Sequence, residues 1–140
     1  MKILKTLGAG LLLLISTVSI ASEQAADKRS LNESLSIYIE ALAHGKVDEV
    51  ESIFDKDFKY TISRADRIYN HQKSEYLSLL KSNRGIRQNC EVTYTIVEAT
   101  PNQSVVKVSM KYDGFTNVSY VNLADTKTGW KITNVCSSIV

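Results

Sequence analysis

The stretch that decides the fold is YIEALAHGK at residues 38–46, followed at once by VDEVESIFDKDF at residues 47–58. The first segment continues a helix that begins at the capping-box sequence Ser30-Leu31-Asn32-Glu33. Gly45 is the residue type that most readily adopts the left-handed conformation at a helix end. The second segment has an apolar stripe and early acidic residues, which predicts a second helix. The apolar stripes are Leu31, Leu35, Tyr38 and Leu42, and then Val47, Val50, Ile53 and Phe54.

Strand periodicity begins at Phe58 and dominates the second half of the chain. Residues 58–62 alternate with period two, residues 63–70 form a polar connection, and residues 72–82 return to helical spacing before Gly85. From Cys90 onward, four alternating segments are separated by turn sequences. We expect two of these strands to have a covered face, formed by Cys90, Val92, Tyr94 and Ile96 and by Val106, Val108, Met110 and Tyr112. The last strand is expected to have one side formed by Trp130, Ile132, Asn134 and Cys136. The order of elements predicts an α+β domain over residues 30–140, with three N-terminal helices and a mostly antiparallel sheet.

Residues 1–21 are typical of a secretory signal peptide. Lys2 and Lys5 precede an apolar run, and small residues flank a cleavage position after Ala21. The run is shorter than the roughly 20 residues of a membrane-spanning helix, so a membrane anchor is the weaker alternative. We therefore expect a periplasmic or secreted protein, with residues 22–29 as a flexible lead.

The charge of the mature chain is balanced. The sequence has 17 Lys and Arg against 15 Asp and Glu, and the excess lies in the two lysines of the leader. A domain without a basic cluster has no electrostatic footprint for nucleic acid and no polybasic stripe for anionic lipid. We therefore expect small molecules or soluble proteins as partners, with no nucleic acid and no membrane contact after cleavage.

Cys90 and Cys136 are the only cysteines in the sequence. Export to an oxidising compartment and an even count favour a disulfide between them. The two residues lie at the start of the first and the end of the last strand of the meander, however. Several strand spacings of about 4.8 Å exceed bridging reach in a flat sheet. A disulfide and two buried free thiols both stay open.

Two blocks of the sequence resemble the nuclear transport factor 2-like superfamily, and within it the bacterial branch described as putative lumazine-binding. The first block is Tyr38–Leu42 with Gly45 and Phe54–Asp57; the second is Tyr112–Thr116 with Tyr120 and Gly129–Asn134. The resemblance implies a cone-shaped, cystatin-like roll in which helices pack against a curved sheet and enclose a cavity. It implies no single activity, because isomerases, dehydratases, cyclases and transport adaptors share this fold. Since relatives commonly dimerise, it also implies a homodimer.

Steroid isomerases of this superfamily provide a comparison for catalysis. They hold an oxyanion with a tyrosine and an aspartic acid, and a second aspartate moves the proton. Tyr38 matches the tyrosine, but the base position aligns with Ile62 and the other acid with Tyr120. Isoleucine cannot accept a proton, so we expect that reaction to be absent in its familiar form, with Tyr38 as a core tyrosine or a ligand contact. A related enzyme would need a different carboxylate, such as Asp57 or Asp66, with a raised pKa.

Metal and cofactor motifs do not occur in the sequence. His44 and His71 are the only histidines, and neither has a second ligand at metal spacing, so we expect no metal site. The chain has no glycine-rich phosphate loop, no Gly-x-Ser-x-Gly elbow and no Cys-x-x-Cys pair, so no cofactor is indicated. Arg64 and Arg67 flank Asp66 near the mouth that the resemblance implies for the cone. They could clamp a carboxylate or phosphate, or belong to an ordinary solvated loop.

The aromatic residues favour ligand binding without turnover. They could line an open pocket or fill the cone, and the sequence does not separate these alternatives. We expect an apolar or aromatic small molecule in the cone, contacted by Tyr38, Tyr94, Tyr120, Trp130 and Asn134. A protein-interaction module that uses the outer sheet face is a further alternative. The residues expected on that face are rather polar, which favours a modest interface or none: Thr93, Thr95, Lys107, Ser109 and Lys111.

Overall fold

The computed structural model describes residues 28–140, which form a curved six-stranded sheet with two helices on its inner face. Helix α1 spans Leu31–His44 and helix α2 spans Lys73–Ser82. The strands are β1 (Phe54–Arg64), β2 (Arg67–Gln72), β3 (Glu91–Ala99), β4 (Gln103–Lys111), β5 (Thr116–Thr126) and β6 (Gly129–Ile139). The expected α+β class is confirmed. The predicted signal peptide and residues 22–27 of the lead lie outside the described residues.

Both ends of α1 follow the chemistry expected from the sequence. The Ser30 hydroxyl accepts from the Glu33 N–H at 3.2 Å, and the Glu33 carboxylate accepts from the Ser30 N–H at 2.7 Å. At the other end Gly45 adopts φ +66° and donates its N–H to the Ala41 carbonyl at 3.2 Å. A side chain at Gly45 would also meet backbone atoms, because an added Cβ would lie 2.5 Å from the Gly85 nitrogen.

The predicted helix over residues 47–54 is wrong. Only a four-residue 3-10 turn forms, at Val50–Ile53, and β1 begins directly afterwards at Phe54. Apolar residues spaced three apart fit the 3-10 period as well as an amphipathic helix. Phe54 pairs with Ile132 of β6, and this strand pairing overrides the weak local preference for a helix. The domain therefore has two helices where the sequence predicted three.

The sheet order is β2-β1-β6-β5-β4-β3. All neighbours are antiparallel except β1 and β6, which are parallel, so the sheet is mixed but mostly antiparallel. Its inner face carries the core together with α1 and α2, and its outer face is polar or partly exposed. The polar connection predicted for residues 63–70 is a tight turn at Ala65 and Asp66, followed by β2.

A bulge changes the faces that the sequence predicted for β6. Leu123 pairs with Ile132, whereas Asn122 pairs with Asn134, so Thr133 is an extra residue on β6. The alternation is shifted after this point, and Val135 and Ser137 are the buried residues. Asn134 and Cys136 therefore lie on the outer face, and the expectation that they share one side of the strand with Ile132 is wrong.

The expected burial of β3 is also corrected. Tyr94 and Ile96 lie opposite the buried Val108 and Val106 on the inner face, yet they are 54% and 45% exposed. Strand β3 is the edge of the sheet, and the helices contact chiefly β1, β2 and β6. The inner face of this edge is consequently only lightly covered.

The end of the predicted flexible lead is attached to the sheet. Lys28 forms an ion pair with Asp125 at 2.9 Å, and the Arg29 carbonyl accepts from the Trp130 N–H at 3.0 Å. Gly129 has φ +113°, and an added Cβ would lie 2.6 Å from backbone atoms of Arg29, so only glycine permits this approach. Residues 28 and 29 therefore belong to the folded domain. Among the described residues, no helix is both long and apolar enough to cross a membrane.

Candidate functional site

The interior of the cone beneath the helices is filled by aromatic side chains. The rings of Phe54, Phe58, Tyr60 and Tyr76 lie with centroids 4.3 to 5.7 Å apart, and Tyr38 contacts Phe54 edge-on at 6.1 Å. Rings at such distances form a packed cluster. Of the two alternatives for the cone, open or filled, this part is filled.

Two tyrosine hydroxyls are enclosed within the cluster. Tyr38 is 1% exposed, and its hydroxyl oxygen lies 2.9 Å from that of Tyr76. Burial raises the pKa of both phenols above the ordinary value of 10.0, because the charged form loses its hydration. Both side chains are consequently neutral at physiological pH. The structure places Tyr38 as a core tyrosine with a polar partner.

The inner face becomes polar toward the end of the sheet that carries the β1–β2 and β4–β5 turns. One cross-strand row is apolar, with Val106, Val121 and Val135, and the next contains Ser119 and Ser137. The two serine hydroxyls lie 2.6 Å apart and are buried. One row further, Asn117 lies opposite Ile139, and its side-chain oxygen is buried with no partner among the described residues.

A pocket of about 420 Å³ lies at this end of the sheet, and we call it the mouth pocket. Arg64, Ala65, Phe115 and Ile139 line it. These residues come from the end of β1, the turn after it, the segment before β5 and the end of β6. The Phe115 ring stacks on Tyr112 with centroids 4.7 Å apart and planes 11° apart, which fixes its orientation. The volume lies within the range of small-molecule sites.

The two arginines predicted near the mouth lie beside this pocket. Arg64 pairs directly with Arg67 across the β1–β2 hairpin. Both side chains continue the inner-face series of Ile62 and Tyr69, because alternate residues of a strand share a face. Burial raises the pKa of the nearby Tyr60, while a hydrogen bond with Ser137 and the positive charge of Arg64 act in the opposite direction.

The five residues predicted to contact a ligand do not share one cavity. Tyr38 is buried in the aromatic cluster, and Tyr94 is exposed on the edge strand. Tyr120 and Asn134 lie on the outer face, where Tyr120 pairs with Cys136 and the Asn134 side-chain oxygen accepts from Asn122. Trp130 is half-buried next to the β5–β6 turn. One ligand in the cone cannot contact all five, because the sheet separates its two faces.

The carboxylates suggested for catalysis are not inside the cone. Asp57 and Asp66 are exposed. Ile62, aligned with the isomerase base, is buried on the inner face, whereas Tyr120, aligned with the second acid, points to the outer face. The inward-facing neighbours of Tyr120 are Ser119 and Val121. The alignment at Tyr120 therefore does not correspond to an inner-face position.

Each histidine of the chain contacts a glutamate of its own region. His44 lies 3.1 Å from Glu40, and His71 lies 3.0 Å from Glu75. No group of three or more His, Cys, Asp or Glu side chains within residues 28–140 could hold a metal ion.

The two cysteines are free thiols in the structure. Strands β4 and β5 separate β3 from β6, so Cys90 and Cys136 are about three strand spacings, or roughly 14 Å, apart across the sheet, and they are further offset along the strands because Cys136 lies in the row of Thr95. Bonded cysteines have Cα atoms less than about 7 Å apart. Cys136 is exposed on the outer face and Cys90 is half-buried, so the description of two buried thiols is also only partly right.

A larger groove of about 580 Å³ lies at the end of α1, but its charged side chains are paired with one another. Glu40 contacts His44 and, at 2.6 Å, the Lys46 ammonium group. These contacts lower the pKa of Glu40. Arg84 pairs with Asp48. These charged side chains of the groove therefore already have oppositely charged partners.

Sequence reasoning anticipated the two arginines of the mouth but missed Phe115, Ile139 and Asn117. The Asp113-Gly114 turn directly before an aromatic residue is the local signal that marks Phe115. Ile139 carries no local signal, because its position beside the β1–β2 turn depends on the parallel pairing of β1 with β6.

Solved structures with the same fold come from several bacteria. A nuclear transport factor 2-like protein of unknown function from Silicibacter pomeroyi is 13% identical, with 85% of this chain and 98% of that chain covered and a TM-score of 0.67. A second, from Methylobacillus flagellatus, is 17% identical, with 88% and 97% covered and a TM-score of 0.66. A protein from Novosphingobium aromaticivorans described as a putative aromatic ring hydroxylase is 11% identical, with 83% and 90% covered and a TM-score of 0.59. At these identities the likeness establishes the fold alone.

None of the curated proteins matches the sequence. The family model described as putative lumazine-binding matches residues 26–136, which is most of the chain. The nuclear transport factor 2-like architecture of the similar structures agrees with that match. The chain therefore belongs to the putative lumazine-binding family of the nuclear transport factor 2-like superfamily.

Proposed function

We propose that this chain binds a small apolar or aromatic molecule in the mouth pocket and does not turn it over. The observation that carries the proposal is a 420 Å³ pocket with an apolar wall of Phe115 and Ile139 and a cationic side at Arg64. Small-molecule sites typically combine such walls with a few polar groups that orient the ligand. The aromatic cluster fills the deeper part of the cone, so the ligand would bind at the mouth.

The chemistry of the lining supports binding rather than catalysis. The four lining residues include no carboxylate, histidine or thiol that could move a proton or attack a substrate. Asp57 and Asp66 are solvent-exposed and do not line the pocket. The Novosphingobium protein is described as a putative aromatic ring hydroxylase, which agrees with an aromatic ligand class, but at 11% identity it carries no activity to this chain.

Native mass spectrometry of the protein purified from its own host tests the proposal. We expect an additional mass that is lost on denaturation, and less of it in Phe115→Ala. Tyr120→Ala is the matched control, because Tyr120 and Phe115 are 43% and 44% exposed but only Phe115 lines the pocket. Equal retention by Phe115→Ala and wild type would place the ligand elsewhere. A bare wild-type chain that also binds no aromatic probe would refute the proposed function.

Export and self-association are further proposals that rest on the sequence. The leader supports a periplasmic or secreted protein, and the intact mass of the recovered chain should correspond to a start at Ser22. A homodimer would have to use a surface such as the outer sheet face, where Tyr120 is 43% exposed beside the polar Lys107. Sedimentation across a concentration series measures that association directly.

A further inference from the structure

We propose that the ligand of the mouth pocket is a small organic acid whose negative group is held by Arg64 and Arg67. This inference rests on the proposed function, because it specifies the chemical class that the same pocket selects. It goes further in assigning a role to Arg67, which does not line the pocket itself but lies directly opposite Arg64.

The first support is the unfavourable pairing of the two arginines. Like charges directly opposite each other on an antiparallel pair are destabilising. Neither Arg64 nor Arg67 forms a salt bridge within the described residues, in contrast to Arg29 and Arg84, although the exposed Arg87 forms none either. Arg64 and Arg67 differ from Arg87 in lying directly opposite each other, with no acidic side chain of the described residues in an ion pair with either. An anion between them would supply the missing negative charge.

The second support is the turn that brings the arginines together. Ala65 has φ +52°, in the left-handed region that residues other than glycine seldom adopt. The connection has only two residues, Ala65 and Asp66, so Arg64 and Arg67 are held in direct register. A longer or more relaxed loop would let the two charges separate. The backbone thus maintains an arrangement that electrostatics alone opposes.

The third support is the combination of these charges with an apolar wall. Phe115 and Ile139, which line the same pocket as Arg64, are 44% and 37% exposed. Guanidinium groups bind carboxylates through paired N–H donors, and an apolar wall accepts a hydrocarbon or aromatic body. An acid with an apolar body uses both parts, whereas an inorganic anion uses only the arginines and a neutral hydrocarbon only the wall.

Naphthoate and its neutral amide, naphthamide, are probes of matched shape that separate charge from apolar contact. Titration calorimetry of the whole mature protein should show naphthoate binding at least about tenfold tighter than naphthamide. Arg64→Gln and Arg67→Gln should each weaken naphthoate by about tenfold or more and leave naphthamide unchanged. Arg87→Gln is the matched control, because Arg87 is an exposed arginine outside the pocket.

Thermal unfolding without ligand provides a second readout. Without ligand, each glutamine variant should melt about 1 °C or more above wild type, since it removes one of two like charges that face each other. With naphthoate added, the melting temperature of wild type should rise more than that of either variant. Equal binding of naphthoate and naphthamide, or naphthoate affinity that is unchanged in both variants, would refute the anionic class and leave the binding function standing. Failure of both probes to bind would refute the inference, and the proposed function would fall with it where the native chain also carries no bound molecule.

Discussion

The two buried tyrosine hydroxyls predict a strong energetic coupling. In Tyr38→Phe or Tyr76→Phe, the remaining hydroxyl stays buried and loses the partner that now lies 2.9 Å away. A buried hydroxyl without a partner costs about 1–3 kcal/mol. The double variant instead replaces both polar groups by hydrogen, and its phenylalanine rings keep the packing of the cluster. We therefore expect each single variant to lose about 1–3 kcal/mol of unfolding free energy, and the double variant to lose less than the sum.

Urea unfolding at pH 7 measures this double-mutant cycle, provided that the m-value stays constant across the variants. Each single variant should also melt lower by about 4 °C per kcal/mol in a domain of this size. Tyr120→Phe is the control, because the side chain is 43% exposed on the outer face and its hydroxyl can bond to water. The reasoning would be refuted if the losses of the two single variants added up to that of the double variant within about 0.5 kcal/mol.

Four other outcomes are expected from particular contacts. Gly45→Ala should lose at least about 2 kcal/mol of unfolding free energy in urea, because its Cβ would lie 2.5 Å from the Gly85 nitrogen and 2.7 Å from the Ile86 nitrogen. Gly85→Ala is the control and should lose only about 1 kcal/mol, because no atom lies near its added Cβ. Equal losses in the two variants would contradict the steric explanation. Ser30→Ala should lose about 1 kcal/mol of helix-capping stability, and a neutral result would show that the capping box is not formed in solution. Hydrogen bonds from Ser30 lower the pKa of Glu33 below 4.5, so the stability that the Glu33 carboxylate adds is present above pH 4.5 and is lost as the pH falls through the lowered pKa. Glu33→Ala should therefore weaken the dependence of unfolding free energy on pH in the acid range. An acid dependence equal to that of wild type would contradict this prediction. Thiol labelling without reductant should find two free thiols after unfolding and faster labelling of Cys136 in the native protein, whereas a single disulfide-linked species would contradict the strand order.

Features set by nearest neighbours in the chain could be predicted from the sequence. The capping box, the end of α1 at Gly45 and the buried face of Val106, Val108 and Met110 depend only on local chemistry and period. The element over residues 47–54 could not be predicted in the same way. Its apolar spacing fits two kinds of helix, and the choice is made by the pairing of Phe54 with Ile132, far away in the sequence.

The faces of β6 and the composition of the site depended on long-range geometry. A single extra residue at Thr133 moves Asn134 and Cys136 to the outer face, and nothing in the local pattern marks that bulge. The arginines were recognised because a polar segment between two periodic stretches predicts a turn. Phe115 and Ile139 were not recognised, because they come from separate segments that the sheet brings to one end.

Three departures from local folding preferences lie at that same end of the sheet. Arg64 opposes Arg67, Ala65 has a left-handed backbone, and the Asn117 side-chain oxygen is buried without a partner among the described residues; a second such oxygen, of Asp125, lies at the other end. Each feature costs stability, and natural sequences concentrate such costs at functional sites. The groove at the end of α1 is larger, yet its charges are paired. Volume alone would select that groove, whereas the opposed arginines and the backbone strain are the reasons for proposing the mouth pocket, where a bound acid would place a negative charge between Arg64 and Arg67.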